Sequence, residues 1–93
     1  MKEKVNGSAV IVTTAHRGVF FGYASSTDGE TIRLRDARLC IYWSADMMGF
    51  MGLAAKGPSK TCKIGPRANI TLRNITAVLE VPEAAIERWE SFP

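Results

Sequence analysis

Val19-Phe20-Phe21-Gly22-Tyr23-Ala24-Ser25, then Ser26-Thr27-Asp28-Gly29-Glu30, then Thr31-Ile32-Arg33-Leu34-Arg35, is the stretch that decides the fold. Extended backbone places Val19, Phe21 and Tyr23 on one face and Phe20, Gly22 and Ala24 on the other. Both faces are apolar, so both are expected to be covered. Gly22 inside such a strand predicts a bulge or a close backbone approach. Asp28-Gly29 tolerates positive φ between two strand patterns, which predicts a hairpin. Residues 31–35 then alternate, with Ile32 and Leu34 inward and Thr31, Arg33 and Arg35 toward water.

Outward from this hairpin, residues 8–14 (SAVIVTT) are rich in β-branched side chains and read as a strand. Residues 15–18 read as a turn. Asp36-Ala37 interrupts the strand pattern, and residues 38–43 (RLCIYW) resume it. Leu39, Ile41 and Trp43 share one face there; Arg38, Cys40 and Tyr42 share the other. Ser44 fits a helix N-cap, with Asp46 placed to favour the helix dipole. Met47, Phe50, Met51 and Ala54 follow helical spacing until Gly57-Pro58. Gly49 and Gly52 each cost such a helix about 1 kcal/mol relative to Ala, and so point to close packing against another backbone. Residues 64–74 and 75–81 are extended. Residues 82–91 form a terminal helix opened by Pro82 and Glu83, with Ile86 and Trp89 packing back. The order ββββ-α-ββ-α predicts a mainly β, α+β chain: a small antiparallel β-barrel or roll, Sm-like or SH3-like, with one inserted helix and a short C-terminal helix.

The 93 residues suit a single β-rich domain spanning 1–93. With 46% hydrophobic and 23% charged residues, the composition is that of a folded chain. No apolar run has the length of a membrane span, and residues 1–7 are not followed by a signal-type run, so a cytoplasmic location is expected. A net charge of +3 is compatible with anionic ligands. Cys40 and Cys62 lack metal-ligand spacing and His16 is the sole histidine, so no metal site is expected and both thiols are read as reduced and partly buried. Without a secretion signal, the N-x-S/T sequences at Asn6, Asn69 and Asn74 read as chance matches.

Catalysis finds little support in these residues. His16 has no acid partner in sequence, neither cysteine sits in a nucleophile motif, and Asp28, Glu30 and Asp36 form no carboxylate pair. No phosphate loop is present, and no cofactor is expected. Binding has more to use. Arg17, Arg38, Lys56, Lys60, Lys63 and Arg67 are candidate phosphate ligands. Phe20, Tyr42 and Trp43 are candidate stacking surfaces for a base. For Trp43 the alternative is core packing, and for residues 56–63 a solvated loop. The methionine-rich segment 47–53 fits either a core or an oligomer interface, and self-association is expected.

Gly18-Val19-Phe20-Phe21-Gly22, Asp28-Gly29, Leu34-Arg35-Asp36-Ala37-Arg38 and Tyr42-Trp43 together resemble a family of small bacteriophage and prophage proteins. The D-A-R-x-x-x-Y-W run is the most specific part. Leu53-Ala54, the loop at 57–63 and the strands at 70–81 also fit, so the resemblance covers residues 9–82; Cys40 and residues 47–51 depart from it. It implies a viral setting inside a host cell, where small non-virion proteins counter host defence. The expectation that follows is an oligomeric sponge. It would sequester a cyclic nucleotide or ADP-ribose-type signal without cleaving it, in pockets between subunits. Nanomolar capture corresponds to about 12 kcal/mol and needs near-complete enclosure. Two alternatives stand beside it: an Sm-like barrel binding single-stranded nucleic acid, and a protein-binding inhibitor or assembly factor.

Overall fold

The computed structural model describes residues 8–15, 18–27 and 29–92. The turn read at His16-Arg17 and the Asp28 half of the Asp-Gly turn lie outside them, as does the Asp46 side chain. Strands β1 (Ser8–Thr14), β2 (Val19–Ala24) and β3 (Thr31–Tyr42) come first. A 3-10 turn at Ala45–Met47 and helix α1 (Gly49–Lys56) follow, then β4 (Lys63–Arg73), β5 (Ile75–Glu80) and helix α2 (Glu83–Ser91).

The two strands expected at 31–35 and 38–43 are one. Asp36 sits at φ 51° and the register with β4 shifts between Leu34 and Ala37. Its N–H donates to Asn69 Oδ1 at 3.0 Å. A bulge of this kind breaks the side-chain alternation without ending the strand. Gly22 behaves as its position predicts. A Cβ there would lie 3.0 Å from Leu34 Cβ and 3.3 Å from Ala37 Cα, and the β2–β3 register shifts beside it.

The strand order is β4-β3-β2-β1-β5, antiparallel throughout. The sheet is open, which corrects the expected small barrel. Closure requires β4 to pair with β5, yet these are the two edges. A single residue, Asn74 at φ 58°, joins them. One residue is too short to fold a strand back as a hairpin, and a parallel pair needs a long crossover. The chain turns a corner instead. Asn74 O accepts from Ala15 N–H at 3.0 Å, and Ile75 N–H donates to Glu30 O at 3.2 Å.

Two apolar clusters lie on opposite sides of the sheet. One joins Ile11, Val19, Phe21 and Cys40 to Leu53 and Ala54 of α1 and Ala85 and Trp89 of α2. The buried Trp89 indole stacks on Phe21 at 5.0 Å and donates Nε1–H to Leu53 O at 3.2 Å. The second cluster comes from strands alone: Val10, Val12, Ala24, Ile32, Leu34, Ala37 and Leu72. Val12 and Leu34 are fully buried there without a helix above them, so the sheet curls over this face itself. Coverage of both faces of β2 agrees with its sequence pattern.

The helical segment is shorter than its spacing predicts. Met48 at φ 63° separates the 3-10 turn from α1, whose first residue, Gly49, sits at φ 74°. Ser44 is the N-cap of the 3-10 turn and not of α1, without a side-chain cap hydrogen bond; its hydroxyl shares a hydrogen bond with Thr61 at 2.6 Å. Gly49 serves the turn, while a Cβ on Gly52 would meet the Met47 carbonyl. Gly57 at φ 81° ends α1 with its N–H on Leu53 O, and it touches α2 at Arg88 and Ala85. Pro82 precedes α2 as its N-cap and lies just outside the helix.

Candidate functional site

Of the nine residues nominated from sequence, the eight that the structure describes do not gather at one site. Arg17 lies outside the described residues. Phe20 is half-buried against the strand-only cluster. Tyr42, Lys56, Lys60 and Lys63 are exposed, and Trp43 is half-buried at the margin of the helix-covered core.

Arg38 belongs to the core, with 6% of its surface exposed. Its Nε–H donates to Gly65 O at 3.0 Å, and Nη1 donates to Trp89 O and Phe92 O, both at 2.9 Å. Three of the five guanidinium donors therefore go to β4 and to the C-terminal end of α2, where unpaired carbonyls gather. Burial first, and then the nearby Arg67, lower its pKa below the usual arginine value. Arg67 works at the same helix end. It donates to Glu90 O at 2.8 Å and pairs with the Glu90 carboxylate at 2.9 Å. Tyr23 O–H donates to the other Glu90 oxygen. Burial and this carboxylate push the phenol pKa up. Two cations at a helix C-terminus match the sign of its dipole.

Two clefts among the described residues adjoin nominated side chains. One, of about 520 Å³, is lined by Thr13, Thr14, Val19, Trp43, Phe50 and Thr76 among others, with no charged side chain among its described lining. Thr13 and Thr76 share a hydrogen bond at 2.7 Å in its wall. The other, of about 730 Å³, is lined by Pro58, Ser59, Lys60, Cys62, Arg88, Ser91 and Phe92. It brings Lys60 together with Arg88, a cation the sequence reading did not single out.

Exposed apolar surface is concentrated in one chain segment. Every exposed large hydrophobic among the described residues falls within 39–51: Leu39, Ile41, Tyr42, Met48, Phe50 and Met51. Ile41 and Leu39 lie against Gly65 of β4. A third feature was also missed from sequence. Thr31 pairs with Arg73 and Arg33 with Thr71, so Arg33, Arg35 and Arg73 share one sheet face. All three are exposed and make no ion pair or hydrogen bond among the described residues. The strict alternation of 31–35 already exposes two of them; the third needs the β3–β4 register.

Both cysteines are free and buried. Burial first, and then the adjacent Cys62, push the Cys40 thiol up to about 12. Among the described residues no group of His, Cys, Asp and Glu is arranged to hold a metal ion. Among the described residues no helix is long and apolar enough to cross a membrane.

A family model described as a domain of unknown function (DUF6948) matches residues 7–89. No curated protein and no solved structure matches the chain.

Proposed function

We propose that this chain, which belongs to the DUF6948 family, is a binding protein whose partner is another protein. The observation that carries this reading is the cluster of exposed large hydrophobics at the start of α1, namely Met48, Phe50 and Met51, on the helix-bearing side of the sheet. Scattered exposed apolar residues are ordinary, whereas a concentration of them marks an interaction surface. Met48 strengthens the reading. A non-glycine residue at positive φ costs roughly 1–2 kcal/mol, and here it presents a side chain 75% exposed. Strain maintained beside an exposed methionine cluster fits a contact surface better than a packing need.

The test is site-specific photo-crosslinking in the expressing cell. A benzoylphenylalanine at Met51 yields a discrete protein adduct, and the same probe at Lys60 does not. Absence of adducts from positions 48, 50 and 51 would sink the proposal. Adduct mass separates a foreign partner from a second copy.

A second reading, capture of an anionic nucleotide, draws on the cleft that joins Lys60 and Arg88 to the hydroxyls of Ser59 and Ser91 and the ring of Phe92. Its volume lies in the range of small-molecule sites. In the viral setting implied by the sequence resemblance, the ligand is a cyclic nucleotide or ADP-ribose-type signal. Thermal unfolding against a panel of such nucleotides decides it: a ligand at about 100 times its Kd adds roughly 2.7 kcal/mol. A selective rise that disappears in Lys60→Ala/Arg88→Ala supports capture; an unmoved melting point rejects it.

A further inference from the structure

β4 is an edge strand of eleven residues. Its ladder with β3 occupies one side of the backbone. No turn, loop or other strand hydrogen-bonds to the backbone of residues 66–73 on the other side, among the described residues. Pro66 removes one donor near the start of the strand, and Arg67 is engaged with Glu90. That leaves Ala68 to Arg73, a length typical of one paired strand.

The charges beside this edge are of one sign. Arg33 and Arg73 are diagonal neighbours on the β3–β4 ribbon, about 7 Å apart at the backbone, and Arg35 follows Arg33 along β3 at a similar spacing. Like charges at such distances repel. Placed beside a long edge, they discourage strand-to-strand association. A second β4 laid antiparallel on this one gathers Arg67, Arg73 and the arginines of β3 from both copies on one face. The charges that refuse a second copy favour a strand of opposite sign. The other face of the same edge offers Ala68 and the half-buried Ile70, which suits apolar side chains.

We propose that the free edge of β4, from Ala68 to Arg73, takes up an extended acidic segment of a partner protein as a sixth strand. Its alternate carboxylates lie over Arg33, Arg35 and Arg73, and its apolar residues lie beside Ala68 and Ile70. This rests on the protein-binding reading and adds to it a second contact surface, apart from the exposed hydrophobics within 39–51. The unpaired backbone groups favour a peptide over a nucleic acid, since phosphates match the arginines equally well but leave the edge unpaired.

The experiment is fluorescence anisotropy at low salt with a labelled octapeptide of alternating Glu and Val. Comparison probes are a Lys-Val octapeptide, the Glu-Val peptide N-methylated at alternate residues, and an oligothymidylate. The Glu-Val peptide is expected to bind, to lose affinity by about tenfold with Arg33→Glu/Arg73→Glu, and to lose it again on N-methylation. The charge-matched Lys56→Glu/Lys60→Glu protein retains binding. No binding of the Glu-Val peptide overturns the proposal. So does unchanged binding after N-methylation, which reduces the contact to charge alone. Oligothymidylate binding that is lost in the same arginine variant reassigns the face to nucleic acid. Adducts at Met51 that persist while the peptide fails refute the edge assignment alone; loss of both refutes the protein-binding reading itself.

Discussion

Replacing Arg38 by methionine keeps an unbranched side chain of similar length and removes every donor of the guanidinium. Three carbonyl oxygens then lose their partner: Gly65, Trp89 and Phe92. A buried polar group left unpaired costs about 1–3 kcal/mol. Removing the charge also removes its desolvation cost, which offsets part of the loss. The Gly65 and Trp89 bonds are buried and the Phe92 bond partly so, which brings the expected net loss to about 3 kcal/mol. For a domain of this size each kcal/mol lowers Tm by roughly 4–8 °C, so the midpoint falls by roughly 12–24 °C. The assay is thermal unfolding followed by near-ultraviolet circular dichroism, which reports the stacked Trp89 and Phe21 rings. Arg33→Met, at an exposed position, serves as the control and stays within about 0.5 kcal/mol of wild type. A Tm for Arg38→Met within roughly 4 °C of wild type would refute the structural role and return Arg38 to the pool of ligand-binding candidates.

Gly57→Ala places a methyl group 2.7 Å from Arg88 Cβ at a φ of 81°, and urea unfolding is expected to show a loss of about 2 kcal/mol. Met48→Gly relieves a left-handed backbone without touching the core; it raises stability by about 1 kcal/mol while weakening the Met51 photo-adduct, and loss of stability contradicts the strain argument. The Cys40 thiol has its folded pKa raised from 9.0 to about 12, so its contribution is fully present below pH 9 and is lost as pH rises toward 12. The phenol of Tyr23 is shifted in the same direction, so Cys40→Ala flattens the alkaline decline in Tm without abolishing it; identical profiles for the two proteins contradict the assignment.

Most elements were legible because their patterns are local. The two-faced run at 19–24, the alternation at 31–35 and the Ile86–Trp89 spacing each describe contacts made by that segment's own geometry. Asp36 misled because a bulge and a strand break give the same interruption in sequence. Openness of the sheet was illegible for a different reason. Six strand-like segments in series suit a barrel, and only the single-residue joint at Asn74 rules out pairing of the last two. At the candidate site, cations were ranked by residue type and loop position. Arg38 looked available because its partners lie 27, 51 and 54 residues away. Arg73 looked ordinary because its neighbour Arg33 lies across a ladder whose register no local pattern encodes. The exposed hydrophobics within 39–51 were partly legible: the methionines there raised the choice between core and surface, and burial divides them. Met47 is buried; Met48 and Met51 are not.

Arg38 joins the middle of the chain to its last helix, and this has a kinetic meaning. The guanidinium sits on β3 early in the sequence, but two of its three acceptors exist in place only after α2 has wound and docked. Until then the charge is better off in water, so the α2-facing side of the sheet stays hydrated. Docking of α2 and dehydration of β3 are then one event. Amide exchange in the second half of β3 is then expected to follow the opening of a helix some fifty residues away.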